Sequence, residues 1–290
     1  MDKKFGVFIN KKAGKGKPRV FSKLLQEELK KHALQYEMYE NEWPDSLEGL
    51  TDVFVVGGDG TLNYFINKYP DCSVPITIIR SGSGNDFHKE LFGKKKDFKR
   101  NFETALHGEI LPIDAGNCNG KWFLNGCGIG FDGRVVRSMK HKRSKSFGLS
   151  AYLVHTLKNL FFYRSGKYSI RYNGSSLNMK ALMITVANGA KYGGGFMVAP
   201  GANINDGRLN LVIIQQLHPL KRLIHLPKLK TGKHIELSIT SDHLVESVTI
   251  DAEKPMDAHV DGEYFSSNHF KIEVYKNKFL FRVPSSNEDI

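Results

Sequence analysis

Acidic residues are the scarce class in this chain of 290 residues: 30 Asp and Glu stand against 42 Lys and Arg, a formal charge of +12. That imbalance points to an anionic partner, whether nucleotide, nucleic acid or acidic lipid, and does not choose among them. Cysteine is scarce too. Cys72, Cys118 and Cys127 have neither metal-ligand spacing nor the number for a disulfide framework, which fits a reducing compartment. No apolar run approaches the roughly 20 residues that span a bilayer. The run from Phe5 to Ile9 is too short for a signal peptide. The expected place of work is the cytoplasm, with any membrane contact made at the surface. No RNA-recognition or helix-turn-helix signature is present, so no nucleic-acid partner is expected. A Gly-x-x-x-x-Gly-Lys-Ser/Thr P-loop is also missing, as are internal repeats.

What is present centres on Val53-Phe54-Val55-Val56-Gly57-Gly58-Asp59-Gly60-Thr61-Leu62-Asn63. Four apolar residues in a row suit a strand covered on both faces. Three glycines then let the backbone turn sharply and approach a ligand. Thr61 is expected to cap a following helix, in which Leu62, Phe65, Ile66 and Tyr69 recur at helical spacing. Amides at such a helix start favour phosphate. Asp59 would repel bare phosphate, so a cation or an organised water network is its natural partner.

The same arrangement of strand, loop and helix occurs twice more. Lys4–Asn10 reads as a strand running into the basic loop Asn10-Lys11-Lys12-Ala13-Gly14-Lys15-Gly16-Lys17, with Pro18 in the first turn of a helix. Val74–Ile79 reads as a strand before Arg80-Ser81-Gly82-Ser83-Gly84-Asn85-Asp86-Phe87, where Asn85 and Asp86 are expected helix caps. With a strand at Gln35–Glu40 and a helix at Asn101–His107, residues 1–109 predict an open α/β sheet, Rossmann-like, with its loops at the carboxyl ends of the strands.

From residue 110 the pattern turns to β, and residues 110–290 predict an all-β sandwich. Its expected strands include a hairpin about Asn119-Gly120, then Lys167–Tyr172, Leu177–Ala187, Leu209–Gln215, His234–Thr240, Ser247–Ala252, His269–Tyr275 and Lys278–Val283, with a turn at Asn277. Gly128-Ile129-Gly130-Phe131-Asp132-Gly133 matches Gly-x-Gly-x-x-Gly, but no acidic residue follows at ribose distance, so no dinucleotide site is expected there. Lys140–Arg164 is basic and amphipathic, a helix packed on the sandwich or lying on a membrane. Asn203, Asp206 and nearby carbonyls form an oxygen-rich set suited to Mg²⁺ or Ca²⁺. Asp261 and Glu263, two apart on an extended segment, face the same way and suit a general base with an orienting group.

Six motifs then fall in register: Gly57-Gly58-Asp59-Gly60-Thr61, Gly82-Ser83-Gly84-Asn85-Asp86-Phe87, Ile129-Gly130-Phe131-Asp132, Gly193-Gly194-Gly195, Asp206-Gly207-Arg208-Leu209 and Asp261-Gly262-Glu263. Together, over nearly the whole chain, they resemble the diacylglycerol kinase catalytic-domain family, which includes soluble bacterial lipid kinases and sphingosine kinases. More distantly they resemble NAD kinases. The resemblance implies two domains with an interdomain cleft, ATP and Mg²⁺, and a lipid alcohol as acceptor reached by transient contact with the membrane. A homodimer is left open. It implies phosphate and ribose contacts from Asn10, Lys11, Lys12, Ala13, Gly14, Gly57, Gly58, Gly60, Thr61 and Asn63, with Ser83 and Asn85 nearby. Asp59 and Asp86 would lie near the catalytic Mg²⁺. The Asn203 and Arg208 carbonyls, with the Asp206 carboxylate, would hold a second, structural metal. Asp261 or Glu263 would be the base, Asp261 being the first choice. Lys11 stands where the family has Pro, Ser83 where Thr is usual, and Glu40-Asn41-Glu42 offers no Thr near the adenine. The competing readings are a kinase of this fold with a soluble acceptor such as NAD, and a basic binding protein without catalysis.

Overall fold

The first four strands of the chain run parallel to one another, as near-continuous apolar runs demand. The computed structural model describes residues 3–10, 17–40, 42–82, 84–93, 97–140 and 160–285. Its contacts divide the chain into two units, Met1–Asp114 with Asn277–Ile290, and Ala115–Lys276. The last segment therefore returns to the first unit, where the sequence pattern suggested one cut near residue 110.

In the first unit, β1 (Lys4–Ile9), β2 (Gln35–Tyr39), β3 (Asp52–Gly57) and β4 (Ile76–Arg80) form a sheet in the order β2-β1-β3-β4. Helices α1 (Lys17–Lys31) and α4 (Phe98–His107) cover one face, over a core of Phe5, Val7, Phe54, Val56, Leu25 and Phe102. On Phe8 converge Tyr39, Trp43, Phe65 and Tyr69, the last two from or just beyond α2 (Asp59–Lys68). Beyond β4 lies the end of the chain's last strand, in parallel register at Phe281 and Ile76. A buried ion pair, Arg282 Nε to Asp52 Oδ1 at 2.9 Å, fixes that strand to β3.

The second unit is built on two long strands, β9 (Ser175–Ala187) and β14 (Ser247–Val260). Both pair with β8 (Gly166–Tyr172) at one end and with β7 (Gly126–Gly130) at the other. On β9 lies β12 (Leu209–Gln215), which pairs β13 (Thr240–Val245); on β14 lies β15 (Glu263–Val283). The predicted hairpin about Asn119-Gly120 is present, between β5 (Glu109–Cys118) and β6 (Lys121–Phe123). A two-residue ribbon, β10 (Lys191–Tyr192) with β11 (Phe196–Met197), closes on Gly193, Gly194 and Gly195, all at positive φ, which glycine alone adopts freely three times running.

The structure revises several expected elements. The unit is not all β: α5 (Phe131–Lys140) packs on β14, and α6 (Pro219–Thr231) was not expected, because Pro227 interrupts its pattern. His234–Thr240 is not a strand. Gly232, left-handed at φ 80°, ends α6, a 3₁₀ turn follows over Lys233–Glu236, and buried His234 bonds the Val198 carbonyl at 3.0 Å. Asn277 has the φ of a turn residue, 52°, yet β15 runs on through it, its N–H taken by the Asp114 carboxylate at 2.8 Å. The basic stretch from Lys140 to Arg164 lies mostly outside the described residues. The cysteines are unpaired and buried. No described helix is long and apolar enough to cross a membrane.

Candidate functional site

In the first unit the carboxyl ends of β1, β3 and β4 carry those of the predicted nucleotide residues that are described, Asn10, Gly57, Gly58, Asp59, Gly60, Thr61, Asn63, Asn85 and Asp86. Asn10 leaves β1 and donates from Nδ2 to Thr61 Oγ1 at 3.3 Å. Thr61 does not cap α2. The helix begins earlier, with Gly58 as N-cap, and Thr61 lies buried within its first turn, its side chain against Gly57 where a Cβ would stand. The two glycine turns cross back to back: a Cβ on Gly82 would sit 2.5 Å from Gly58 Cα, and one on Gly58 would sit 2.9 Å from Gly82 Cα. Gly57, Gly58 and Gly82 are thus explained by packing. Gly60 is not, because a Cβ there meets no described atom within 4 Å.

Asp59 has a use that sequence reading missed. Its Oδ2 accepts from Asp86 N at 3.0 Å and its Oδ1 from Phe87 N at 3.3 Å, so it caps α3 (Asp86–Phe92) from a different helix. Asn85, the expected cap, instead folds back onto its own loop. In the left-handed conformation at φ 66°, it accepts from Gly82 N at 3.2 Å and donates to Gly82 O at 2.8 Å. Asp86 is buried and pairs with Lys89 at 2.8 Å. Asn63 is buried within α2, its carbonyl taken by Asn67. Lys11, Lys12, Ala13, Gly14 and Ser83 lie outside the described residues.

Arg80, at the end of β4, was also passed over. Among the described residues its Nε and Nη1 are buried without a hydrogen-bond partner. Burial first, and the Arg80 charge second, push the nearby His88 down to about 4. A guanidinium desolvated without a partner is costly, and an anion relieves the cost. The open Gly60 and the first turn of α2 fit a phosphate-bearing ligand. The half-buried Asp59 and the buried Asp86 fit the Mg²⁺ that accompanies one, since Mg²⁺ takes one or two protein carboxylates and leaves the rest to phosphate and water.

In the second unit, Asp261 occupies the tight turn between β14 and β15 at φ 46°. Its Oδ2 accepts from Leu124 N at 2.8 Å, and its Oδ1 from Asn125 N at 3.0 Å and Gly126 N at 2.9 Å. Three of its roughly four lone-pair sites hold the segment before β7. Glu263, on the other side of the turn, is exposed.

Behind this turn is a buried network that spacing in the sequence does not reveal. Asp132, in the first turn of α5, stands 3.0 Å from His259 Nε2, an ion contact rather than a well-aligned hydrogen bond. Tyr192 donates to Asp132 Oδ2 at 2.7 Å and Thr185 lies 2.9 Å from the same hydroxyl. Gly262 N in turn donates to His259 Nδ1 at 3.2 Å. Burial works to raise Asp132, but His259 and Tyr192 outweigh it and hold the carboxyl below its ordinary value. Burial likewise opposes charge on His259, and Asp132 outweighs it and lifts the imidazole above its ordinary value. Gly128 leaves room for this pair, since a Cβ there would run into Asp132 and His259. Gly133 seats α5 directly on Ala258 and Asp257. The Gly-x-Gly-x-x-Gly pattern is a packing device.

Asn203, Asp206 and Arg208 share one exposed or half-buried loop before β12. Asn203 Oδ1 accepts from Asn205 N at 3.3 Å and Asp206 Oδ1 from Arg208 N at 2.9 Å. No described cluster of three His, Cys, Asp or Glu side chains is placed to hold a metal. A cation at 203–208 would have one carboxylate and otherwise carbonyls and water, a donor set that fits weakly held Mg²⁺.

Two family models match the chain. One, described as diacylglycerol kinase catalytic domain, covers residues 4–118; the other, described as YegS C-terminal NAD kinase beta sandwich-like domain, covers residues 126–278, more than half of the chain. The diacylglycerol kinase of Bacillus subtilis (strain 168) is 26% identical over 218 residues, 73% of this chain and 71% of that protein. A Cronobacter sakazakii protein named probable lipid kinase YegS-like is 28% identical over 249 residues, 82% and 79% of the two. A crystal structure of a diacylglycerol kinase from Bacillus anthracis str. Sterne covers 98% of each chain with a TM-score of 0.76 at 21% identity, a likeness of fold.

Proposed function

Since the chain belongs to the diacylglycerol kinase catalytic-domain family, a family of lipid kinases, we propose that it transfers the γ-phosphate of ATP to the hydroxyl of diacylglycerol or a related lipid. The observation that carries the nucleotide half is Gly60, a glycine in the first turn of α2 that no packing in the described chain requires. Its bare Cα, with Asn10, Thr61 and the α2 amides, would receive the phosphates. Asp59 and Asp86 would hold the metal ion. Mg²⁺, when bound, neutralises phosphate charge as the transferred group passes between oxygens. Glu263 would take the proton from the lipid hydroxyl as its oxygen bonds to the γ-phosphorus and the bond to the β-phosphate oxygen breaks, releasing ADP. Asp261 holds the turn that presents Glu263. The protein would work in the cytoplasm and meet its acceptor at a membrane surface.

The packing of the glycines makes the nucleotide half testable by contrast. Gly60→Ala is expected to leave the melting temperature unchanged or raise it, since Ala is the better helix former by about 1 kcal/mol, while ATP affinity falls. Gly82→Ala is expected to lose about 1–3 kcal/mol of stability, because backbone must move from backbone. Thermal melts beside calorimetric ATP titration check both; a Gly60→Ala protein that binds ATP normally removes the site from α2.

The acceptor is tested by transfer of labelled γ-phosphate from Mg-ATP to diacylglycerol, monoacylglycerol, sphingosine, ceramide and phosphatidylglycerol in mixed micelles, with NAD as the soluble arm. A labelled lipid is the expected product. Label in NAD alone would replace the lipid reading with the soluble one.

A further inference from the structure

Helix α6 shows solvent a face that its own fold does not explain. Leu223 and Leu229 turn inward onto a cluster of Phe131, Leu160, Leu182 and Ile214, and buried Arg222 ties the helix down, donating to the Leu160 and Tyr163 carbonyls at 2.7 and 2.9 Å. Outward, at spacings of four and three, stand Leu220, Ile224 and Pro227, with Leu220 60% and Ile224 68% exposed. Residues three or four apart in this way share one side of a helix. The carbonyls that Arg222 grips place Phe161 and Phe162, 38% and 78% exposed, beside the same helix. Along α6 itself stand Lys221, Lys228 and Lys230 and no acidic residue, in a chain already at +12.

Scattered exposed apolar residues are ordinary, but a continuous stripe on one helix that carries lysines and no acidic residue is not. A protein partner would need acidic complement and a shaped pocket for each side chain. A bilayer rich in anionic lipid asks only for an apolar stripe at the depth of the acyl boundary and cations at the level of the head groups. We propose that the outer face of α6, with Phe161 and Phe162, docks the protein flat on the surface of an anionic bilayer. This rests on the reading of the acceptor as a membrane-resident lipid and names the surface that reaches it. The docked helix bears on the cluster that contains Phe131 and Tyr192, the neighbour and the partner of Asp132, so the docking face connects through Asp132 and His259 to the turn that carries Glu263.

The test is co-sedimentation without nucleotide, using the whole chain and vesicles of phosphatidylcholine alone or in equal parts with phosphatidylglycerol. Wild type is expected to partition onto the mixed vesicles and not onto phosphatidylcholine. The double variant Leu220→Glu/Ile224→Glu should bind about 100-fold more weakly, and Lys221→Glu or Lys230→Glu about fivefold each. Leu244→Glu, on the exposed side of β13, should change nothing. Ile224→Trp supplies a readout that needs no disruptive change, its fluorescence moving to the blue on the mixed vesicles only. Equal binding to both vesicles, full binding by the double variant, or an Ile224→Trp spectrum indifferent to lipid would each overturn the proposal. So would a wild-type dimer in solution that the double variant splits, which would make a second copy the occupant. Lipid phosphorylation in detergent micelles stands or falls separately, because it needs no bilayer.

Discussion

Glu263→Gln is expected to lower turnover by about 10²–10⁴-fold, the usual contribution of a positioned general base, while the protein melts where the wild type does. Glu263 is exposed beside the turn, so an isosteric amide disturbs little packing. Asp261→Ala should do the opposite in order of cause. It strands the amides of Leu124, Asn125 and Gly126, which now share one carboxylate. Hydrogen bonds to a charged group contribute about 1.5–3 kcal/mol each, and sets of them are not additive, so a loss of about 3–5 kcal/mol is expected. Activity would fall with the fold. Asp261→Asn separates the two roles further: Asn tolerates the left-handed backbone and keeps one acceptor, so much of the turn should survive. Paired kcat and urea-melt measurements decide. Full stability with no turnover in Asp261→Asn, beside an active Glu263→Gln, would return the base to Asp261, the residue that sequence alone puts first.

That choice shows where sequence reading reached its limit. Glycines are legible because few residues can replace them, and the turns after β3 and β4 lie where Gly57, Gly58 and Gly82 predict. What Asp261 does is not legible, because a carboxylate in Asp-Gly-Glu reads as a base or a turn former alike, and only the Leu124–Gly126 amides separate the two. Asp59 is a similar case: its partners are the amides of α3, supplied by the second glycine turn. Helix α6 was hidden by Pro227, which local propensity counts against a helix and which the fold tolerates on an exposed face. The strand expected at His234–Thr240 gave way to tertiary contacts, His234 with Val198 and Gly232 against Pro200 and Met197. The pairing of Asp132 with His259 joins residues on a helix and a strand distant in sequence, and no spacing rule connects them.

That pair gives the second large effect. Asp132→Asn is expected to cost about 3–5 kcal/mol, since it leaves a buried imidazole without its counter-charge. It should also change the shape of the stability curve against pH. The raised pKa of His259 means that its contribution is complete below its ordinary value of about 6.5 and is lost as pH rises through the folded value. The lowered pKa of Asp132 means that its contribution is complete above its ordinary value of about 3.9 and is lost as pH falls through the folded one. The wild type should therefore gain most from the pair between about pH 4 and 6.5, and Asp132→Asn should flatten that window in urea melts. Activity separates from stability here. His259 Nδ1 accepts the Gly262 N–H, and an imidazolium cannot. As pH falls through the folded pKa of His259, the ion pair strengthens while the turn that presents Glu263 loses one of its anchors, the Gly262 hydrogen bond. Turnover should then decline on an acid limb that lies above the ordinary histidine value, while the melts move the opposite way there, stability rising as pH falls through the same value. Asp132 is the main source of the raised pKa, with Asp261 adding a smaller pull, so Asp132→Asn should carry the acid limb to lower pH. An acid limb that stays in place in Asp132→Asn would leave the pair a purely structural role.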